Sequence, residues 1–430
     1  MRIGIIGAGT VGTTLGNAFV RAGHEVVYGS RDEGRTPPHA GAKLGSIPGA
    51  VIDASVVVLS TPHGAAESAL RAAGDFGGKV LIDATNAVGP GITLGTAPDT
   101  SGAERIASLA TNARVVKCFN TTGAEVMANP KFGAHRAVML ACGDDGEATS
   151  VATKLATDIG FQSIALPGLS RARDLEALAV LWIQLAMLRG LGRDVAFGLA
   201  QRDQAGASAD ATVNLAAIGA RALGATARRI TILGSGNIGG GLARAWLRAG
   251  HDVRLAVRDP LAPDVVDLAE QGAKTVAIDG SARDTDVLVL AIPAAAVADA
   301  LKRAGDLSGR IIVDATNGPW TPQQTAERAP NARVVRAFNQ QGAETLRDAR
   351  FDDLRAVSFV AGDDDAARST VLALSKDIGL DSIDAGPLAS AHVVDHVTRL
   401  WLALSKVLGS REFALTLLRR PRMSDSALDG

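Results

Sequence analysis

Short apolar runs alternate with helix-patterned stretches through the first half of the chain. We interpret six of these runs as buried strands, because each is short, mostly apolar and followed by helical or turn sequence. Strands of this kind are typical of a parallel sheet covered by helices on both faces. The six predicted strands are Ile3–Ile6, Glu25–Tyr28, Val56–Leu59, Val80–Ile82, Arg114–Cys118 and Ala137–Ala141.

A different pattern follows the last of these strands. From about Leu169 to Arg202 the sequence becomes helical and apolar, and we predict no strand there. Because apolar residues that recur at helical spacing lie on one face of a helix, this stretch predicts a small helical domain. The recurring residues are Leu178, Leu181, Trp182, Leu185 and Leu188.

The whole pattern occurs twice. RVVKCFNTTGAEVM, at Arg114–Met127, matches RVVRAFNQQGAETL, at Arg333–Leu346. Likewise the N-terminal RIGIIGAGTVG matches RITILGSGNIG from Arg229. Because the matching phrases come in the same order in both halves, we interpret the chain as a tandem duplication of a whole protein.

One difference in length separates the halves. The offset between matching residues is 231 at Asp83 and Asp314 but only 219 at Arg114 and Arg333. The first half therefore carries 12 additional residues, around Pro90 to Glu104.

These patterns predict an α/β fold class with two tandem Rossmann-like doubly wound domains, each followed by a small α-helical domain. The predicted Rossmann-like domains are residues 1–168 and 228–386. The predicted helical domains are 169–205 and 387–430, and an alanine-rich linker is predicted at 206–227.

A GxGxxG motif follows the first predicted strand of each half. Glycines at these positions allow a tight turn and let a pyrophosphate approach the backbone, and the following helix presents free N–H groups to the anion. The alternative is a glycine turn that binds nothing, and it has more weight in the second half. The motif residues are Gly7, Gly9, Thr10, Val11 and Gly12, and Gly234, Gly236, Asn237, Ile238 and Gly239.

The end of the second strand indicates which nucleotide binds. A carboxylate there is typical of NAD sites, whereas an arginine accommodates the 2′-phosphate of NADP. Ser30 and Arg31 supply a hydroxyl and a permanently charged fork, so we expect NADP(H), although Asp32 follows at once. The second half keeps Arg258 but has Val257 in place of the serine. That half is expected to bind NADP(H) more weakly or to be a degenerate structural copy.

Several loops should converge beside the nicotinamide ring, because ligands lie at the carboxyl ends of the strands in open α/β sheets. Thr61 and Pro62 follow one predicted strand, and Asn86 and Asn120 follow two others. The two asparagines could contact the nicotinamide or simply close turns. His63 could donate a proton or hold an oxygen of the acceptor, with a solvated loop histidine as the simpler interpretation.

Composition gives no reason to expect a nucleic-acid-binding or membrane protein. The chain has 430 residues, 47% of them hydrophobic and 21% charged, with a formal net charge of −1. Nothing in this balance favours nucleic acid or an anionic membrane as a partner. The longest apolar region, Leu175 to Leu191, is interrupted by polar residues and predicts a buried helix rather than a membrane span.

The inventory of reactive residues is small. The two cysteines, Cys118 and Cys142, give neither a disulfide framework nor a metal site. His392 and His396 lie four residues apart without an evident third ligand, so we predict no metal. The only tyrosine is Tyr28, which rules out the tyrosine–lysine pair of short-chain dehydrogenases. We expect a cytoplasmic and, from the bias toward Ala, Gly, Arg and Asp, a bacterial protein.

Together these motifs resemble the coenzyme F420-dependent NADP oxidoreductases and the nucleotide domain of the STEAP ferric reductases. The resemblance extends over nearly the whole of each half. It is carried by the glycine loop, the Ser30–Arg31 pair, Pro62 and Pro293, the VVKxFN phrase, the GDD turns at Gly143–Asp145 and Gly362–Asp364, and DAGPL at Asp384–Leu388. The first half departs from DAGPL with Leu166–Leu169.

The resemblance implies hydride transfer between NADPH and coenzyme F420 or another flavin-like acceptor. It further implies a small-molecule substrate and a pseudo-dimer within one chain, with a further homo-oligomer left open. One alternative is an NADPH-dependent imine or carbonyl reductase of a specialised pathway, whose pocket His63 and the insertion would shape. Another is that one half is a catalytically dead copy or a nucleotide sensor.

Overall fold

The chain forms two compact units, each with its own sheet. The computed structural model describes residues 1–31, 42–202 and 227–420. The first unit contains the described residues up to Leu199 together with Leu417–Arg420, and the second contains those from Ala200 to Thr416. Asp32 and the predicted linker, apart from Ala227, lie outside the described residues.

The first half of the sequence alternates strands and helices as its pattern predicted. Its strands are β1 (Arg2–Ile6), β2 (Glu25–Ser30), β3 (Lys43–Ser46), β4 (Val56–Leu59), β5 (Val80–Asp83), β6 (Val88–Gly89), β7 (Thr93–Leu94), β8 (Arg114–Lys117), β9 (Lys131–Phe132), β10 (His135–Arg136), β11 (Val138–Gly143), β12 (Gln162–Pro167) and β13 (Val195–Gln201). Its helices are α1 (Thr10–Arg21), α2 (Ile47–Ile52), α3 (His63–Ala73), α4 (Gly102–Leu109), α5 (Ala124–Ala128), α6 (Gly146–Asp158) and α7 (Ala172–Met187).

The main sheet has eight strands in the order β12-β11-β8-β5-β4-β1-β2-β3. The six strands from β8 to β3 are parallel, whereas β11 is antiparallel to β8 and parallel to β12. The strand order reverses at β1, which lies between β2 and β4. In doubly wound folds such a reversal opens a crevice at the carboxyl ends of the strands, where ligands bind.

The second half of the sequence repeats this architecture. Its sheet has the order β16-β15-β14-β17-β18-β19-β22-β23. Its strands are β14 (Arg229–Leu233), β15 (Asp252–Ala256), β16 (Lys274–Val276), β17 (Val287–Leu290), β18 (Ile311–Asp314), β19 (Arg333–Arg336), β20 (Arg350–Phe351), β21 (Leu354–Arg355), β22 (Val357–Gly362), β23 (Asp381–Gly386) and β24 (Phe413–Arg419). Its helices are α8 (Asn237–Arg248), α9 (Pro263–Glu270), α10 (Ala294–Ala304), α11 (Pro322–Arg328), α12 (Ala343–Arg347), α13 (Asp365–Asp377) and α14 (Ala391–Leu408).

The prediction of two tandem Rossmann-like domains is confirmed, and one expectation within it was wrong. The stretch from Leu169 to Arg202 was expected to contain no strand, but it ends in β13. The sequence VAFGLAQ is apolar without alternation, because most of its side chains are buried, so periodicity could not distinguish a strand from a helix there. A 3₁₀ turn and the single helix α7 precede it.

The GDD turns have a structural role in both halves. Asp145 caps α6 by accepting a hydrogen bond from the Ala148 amide, and Asp364 caps α13 in the same way. The preceding aspartates, Asp144 and Asp363, accept hydrogen bonds from the amides of Leu169 and Leu388. Each motif therefore begins one helix and fixes the approach to the next.

An arginine from the opposite half of the sequence completes each unit. In the first unit Arg420 pairs with Asp194 at 2.7 Å and stacks on Phe132 at 4.6 Å from the ring centroid. In the second unit Arg202 pairs with Glu412 at 2.8 Å and stacks on Phe351 at 4.1 Å. The two segments are exchanged between the repeats.

This exchange predicts a crossed effect of two matched substitutions. Arg420→Ala should lower the free energy of local unfolding of the segment around Phe132, and Arg202→Ala that of the segment around Phe351. Each loss should be on the order of 1–2 kcal/mol, because stacking and an ion pair are lost. Hydrogen exchange followed by mass spectrometry measures both segments in each variant. If amide hydrogen exchange became faster only in the half of the sequence that carries the substitution, the swap of these segments between the repeats would be contradicted.

Candidate functional site

A cleft of about 210 Å³ lies at the strand-order reversal of the first unit. Six of the residues predicted to bind a cofactor line it: Gly7, Gly9, Ser30, Arg31, Thr61 and Pro62. Sequence reasoning missed further lining residues, including Ile47, Ser60, Ala65 and Ser68. The serines belong to no phosphate-loop motif, and only their position after β4 and on α3 brings them to the cleft.

The three glycines of the loop have different physical roles. Gly7 has φ +108°, a conformation that side chains disfavour. A Cβ at Gly12 would lie 2.0 Å from the Gly7 carbonyl oxygen, so α1 packs directly against the turn before it. A Cβ at Gly9 would have no atom within 4 Å and would occupy only the open cleft. This division matches a site that brings its backbone close to a pyrophosphate.

The first turn of α1 is open to an anion. Thr10, Val11 and Gly12 form that turn, and the N-cap residue, Gly9, has no side chain to bond their amides. The turn also contains no acidic residue. Because the first amides of a helix lack partners within it and the helix dipole favours negative charge, this end of α1 suits a phosphate.

Ser30 and Arg31 lie at the carboxyl end of β2, on the same cleft. The Arg31 side chain is exposed and therefore free to approach a bound ligand. Tyr28, two residues earlier, is buried, and burial raises the pKa of its phenol to about 12. Its phenol therefore stays protonated at neutral pH.

The second unit has lost most of the hydroxyl groups of this cleft. At the positions of Ser30, Ser60, Thr61 and Ser68 it has Val257, Ala291, Ile292 and Asp299. A Cβ added at Gly234 would lie 2.8 Å from the Ile292 methyl group, so the apolar side chain lies close to the glycine turn. The glycine pattern, with Gly236, Asn237, Ile238 and Gly239 at the start of α8, is retained.

Arg258 lines a separate cleft of the second unit, beside the ends of β15 and β16. Arg303 in the same cleft pairs with Asp279 through two hydrogen bonds of 2.8 and 2.9 Å. Arg303 also lies 3.9 Å from Asp299. The carboxylates of Asp279 and Asp299 therefore already accompany the positive charge of Arg303.

Asn86 and Asn120 bind each other in the first unit. The Asn86 amide donates to the Asn120 carbonyl at 2.9 Å, and the Asn120 amide donates to the Asn86 side-chain oxygen at 3.1 Å and to the Leu175 carbonyl at 3.1 Å. These bonds join the loops after β5 and β8 to α7. Neither asparagine lines the cleft found beside the glycine loop.

His63 is the first residue of α3 and is half-buried. Its Nδ1 lies 3.3 Å from the Thr85 hydroxyl, while Gly102 at the start of α4 faces its ring. A Cβ at Gly102 would lie 2.8 Å from the His63 Cε1 atom. The imidazole therefore occupies a slot between the loop after β5 and the start of α4.

A fully buried ion cluster lies next to this slot. The Lys117 ammonium contacts Asp83 at 2.8 Å, Glu176 at 3.0 Å and the Thr85 carbonyl at 2.6 Å. Burial alone would lower the pKa of Lys117, but the two carboxylates more than offset it and raise that pKa above its ordinary value. Sequence reasoning missed this cluster, although Lys117 lies in the repeated VVK phrase.

Other reactive groups are unsuited to chemistry. Burial raises the pKa of the Cys118 thiol to about 12 and that of Cys142 further, which keeps both thiols neutral. His392 contacts the Ala389 carbonyl through its Nδ1 atom. The described part of the chain holds no group of three His, Cys, Asp or Glu side chains that could bind a metal. No helix within residues 1–31, 42–202 and 227–420 has the length and apolar character to cross a membrane.

The glycine geometry predicts separate effects of two alanine substitutions. Gly12→Ala should lower the stability of the first unit by on the order of 1–3 kcal/mol, because backbone atoms cannot yield to the new methyl group. Gly9→Ala should leave the melting temperature unchanged but weaken dinucleotide binding about tenfold or more, since its methyl group would enter the cleft. Thermal melts and fluorescence titrations measure both quantities. Equal loss of stability in the two variants would contradict this division of roles.

The chain matches known proteins in both halves. The sequence profile of the family described as "NADP oxidoreductase coenzyme F420-dependent" matches residues 2–87 and 229–318. The metalloreductase STEAP3 of Rattus norvegicus is 32% identical over 183 residues, which are 41% of this chain and 36% of the relative. The match therefore spans little more than a third of that protein.

Solved structures with similar folds include a candidate F420-dependent NADP-reductase from Arthrobacter sp. FB24. It is 31% identical and has a TM-score of 0.42, over 45% of this chain and 96% of that one. A reductive aminase from Aspergillus terreus is 23% identical with a TM-score of 0.35, over 43% of this chain and 64% of that one.

Each of the two segments that match the family profile contains the first strands and helices of one unit, including its glycine loop. The chain thus contains two tandem domains of the family of coenzyme F420-dependent NADP oxidoreductases.

Proposed function

We propose that the protein is an NADPH-dependent oxidoreductase whose first unit binds the nucleotide and passes its hydride to a flavin-like acceptor of the F420 type. The observation that carries this proposal is the cleft at the strand-order reversal. It combines an open helix N-terminus, a glycine whose missing side chain leaves room for a pyrophosphate, and Ser30 with Arg31 at the far end.

NADPH fits this cleft better than NADH. The pyrophosphate would lie on the first turn of α1, and the adenosine ribose would extend toward the end of β2. There the Arg31 guanidinium and the Ser30 hydroxyl offer hydrogen-bond donors for a 2′-phosphate. The described residues of the cleft include no carboxylate at this end that would select the 2′-hydroxyl of NADH.

Only the first unit is proposed to bind NADPH productively. In the second unit the cleft hydroxyls are replaced by Val257, Ala291 and Ile292, and Asp299 adds a negative charge. The lost donors would weaken the hold on the nucleotide, and the Asp299 carboxylate, whose charge Arg303 accompanies, offers no donor in their place. The second unit would then serve as a structural copy that retains the fold.

The acceptor is proposed from the shortage of acids and bases. Hydride transfer between a nicotinamide and a deazaflavin or flavin needs stacking and orientation more than proton transfer. Tyr28, Cys118 and Cys142 are buried with raised pKa values, and Lys117 is fully buried within its ion cluster. Such surroundings suit an acceptor that brings its own redox chemistry.

A second candidate is an imine or carbonyl reductase, favoured by His63 alone. The structure records no protein partner for its Nε2 atom among the described residues, so this nitrogen could donate a proton to a substrate. In that case His63→Ala should lower turnover by roughly 10²–10⁴-fold. For an F420-type acceptor the loss should be far smaller, because no proton donor is needed.

Arg31 provides a test of the nucleotide assignment. Arg31→Ala should raise the dissociation constant of NADPH about 10-fold to 100-fold, which is the effect of losing one charged hydrogen-bonding partner, and leave that of NADH unchanged. Arg258→Ala in the second unit is the matched control and should change neither constant. Binding titrations of both nucleotides measure the effect. An undiminished preference for NADPH in Arg31→Ala would refute the assignment.

The acceptor can be tested directly by stopped-flow oxidation of NADPH. Oxidised F420, FMN and a cyclic imine would be offered separately to the full chain. We expect rapid transfer to F420 and little to the others. Tight binding of NADPH with reduction of the imine alone would exclude the F420 proposal and favour the second candidate.

A further inference from the structure

A histidine, His63, follows the proline after the fourth strand in the first unit, where the second unit has Ala294, and buried contacts fix the chain on both sides of its ring. The Thr85 hydroxyl lies 3.3 Å from Nδ1 of the imidazole, and a Cβ added at Gly102 would lie 2.8 Å from its Cε1 atom. Thr85 lies in the loop after β5, and Gly102 lies where the preceding loop enters α4. The orientation of the ring therefore depends on what fixes these two loops.

The Lys117 ammonium fixes both of them. It donates to the Thr85 carbonyl at 2.6 Å, so it holds the first loop directly. It also contacts Glu176 at 3.0 Å, and Glu176 accepts hydrogen bonds from the amides of Gly102 at 2.9 Å and Ala103 at 3.0 Å. The second loop is thus held through the glutamate.

Asp83 completes the cluster. One carboxylate oxygen accepts from Lys117 at 2.8 Å, and the other accepts from the Thr85 amide at 2.9 Å. Lys117 and Asp83 are fully buried and Glu176 is 2% exposed. Charges this deeply buried are strongly coupled, and removing one partner would leave another uncompensated.

The second unit has the same charges but not the same connections. Arg336 and Asp395 lie at the positions of Lys117 and Glu176. Arg336 contacts Asp314 at 2.8 Å and Asp395 at 2.7 Å. Asp395 accepts from the Asn339 amide at 3.0 Å rather than from a helix N-terminus.

Both helices have an N-cap side chain of their own, Ser101 in α4 and Thr321 in α11, but among the described residues only α4 also donates amides to the buried carboxylate. Helix α11 is closed by its own capping box, in which Thr321 and Gln324 bond each other. Pro322 follows the N-cap residue of α11 as Gly102 follows that of α4, and it has no amide hydrogen to donate. The histidine is also absent, since Ala294 replaces His63. The hydrogen bonds from the helix to the buried carboxylate and the histidine side chain therefore occur together in the first unit, and both are missing from the described residues of the second.

From this correspondence we infer that Lys117 and Glu176 are positioning residues, which set the orientation of His63 toward the acceptor bound in the first unit. This inference rests on the proposed function, because it takes the acceptor to lie beside α3. Glu176 has a longer side chain than aspartate and can reach α4. Arg336 in the second unit divides its contacts with the two carboxylates between different nitrogens, with Nη1 2.8 Å from Asp314 and Nη2 2.7 Å from Asp395.

The test converts the first cluster into the second one. Lys117→Arg/Glu176→Asp retains both charges and a combination that the second unit already accommodates. We expect a folded protein with NADPH affinity within about twofold of wild type and turnover at least threefold lower. The matched control, Arg336→Lys/Asp395→Glu, should leave turnover unchanged.

A second variant protects the test against misfolding. Thr85→Val leaves the ion cluster and the backbone carbonyl that Lys117 contacts in place, but removes the hydroxyl group that lies 3.3 Å from the His63 Nδ1 atom. It should displace the ring and lower turnover in the same way.

Two readouts separate positioning from stability. The ¹³Cε1 resonance of His63, assigned by its absence in His63→Gln, should move in both first-unit variants and stay fixed in the control. If the cluster acts through His63, adding Lys117→Arg/Glu176→Asp to His63→Gln should cause no further loss of turnover. An unmoved resonance, additive losses of turnover, or a fully active His63→Gln protein would each overturn the inference.

Failure of the proposed function would look different. A wild-type protein that transfers no hydride from NADPH to any acceptor offered would refute that function. The His63 resonance in the free protein would still report whether the cluster positions the ring.

Discussion

The contact between α1 and the turn before it determines what the first unit can bind. With Gly12 against the Gly7 carbonyl, the helix begins at the edge of the sheet and directs its free amides into the crevice beside β1. A side chain at Gly12 would push the helix away, and the anion site would be lost with it. The other residues that line the cleft, such as Ser30 and Pro62, can contact a ligand only if it binds at this helix N-terminus.

The duplication makes the second unit an internal comparison for the first. Both units keep the strand order, the glycine turn and a buried cluster of a cation with two carboxylates. What differs is the polar lining of the cleft and the link from the cluster to the neighbouring helix. Both units share the features needed for folding, and the features suited to binding a nucleotide and an acceptor occur in the first unit.

Much of the fold could be predicted because its central strands are buried on both faces. Short continuous apolar runs such as Val56–Leu59, rich in β-branched residues and followed by turn residues, favour such strands. Edge strands were harder to find: Lys43–Ser46 is short and partly exposed, and Gln162–Pro167 mixes polar and apolar residues. The nucleotide cleft followed from motifs, since a glycine turn imposes its geometry locally. The ion cluster did not, because Asp83, Lys117 and Glu176 are far apart in sequence and meet only when the sheet and α7 have formed.

The proposed function requires that one half of the duplicated chain binds NADPH and that the other does not. Isothermal titration of the full-length protein with NADPH measures this most directly, because it counts binding sites per chain. We expect a stoichiometry near one NADPH per chain. Two equivalent sites per chain, or none, would contradict it.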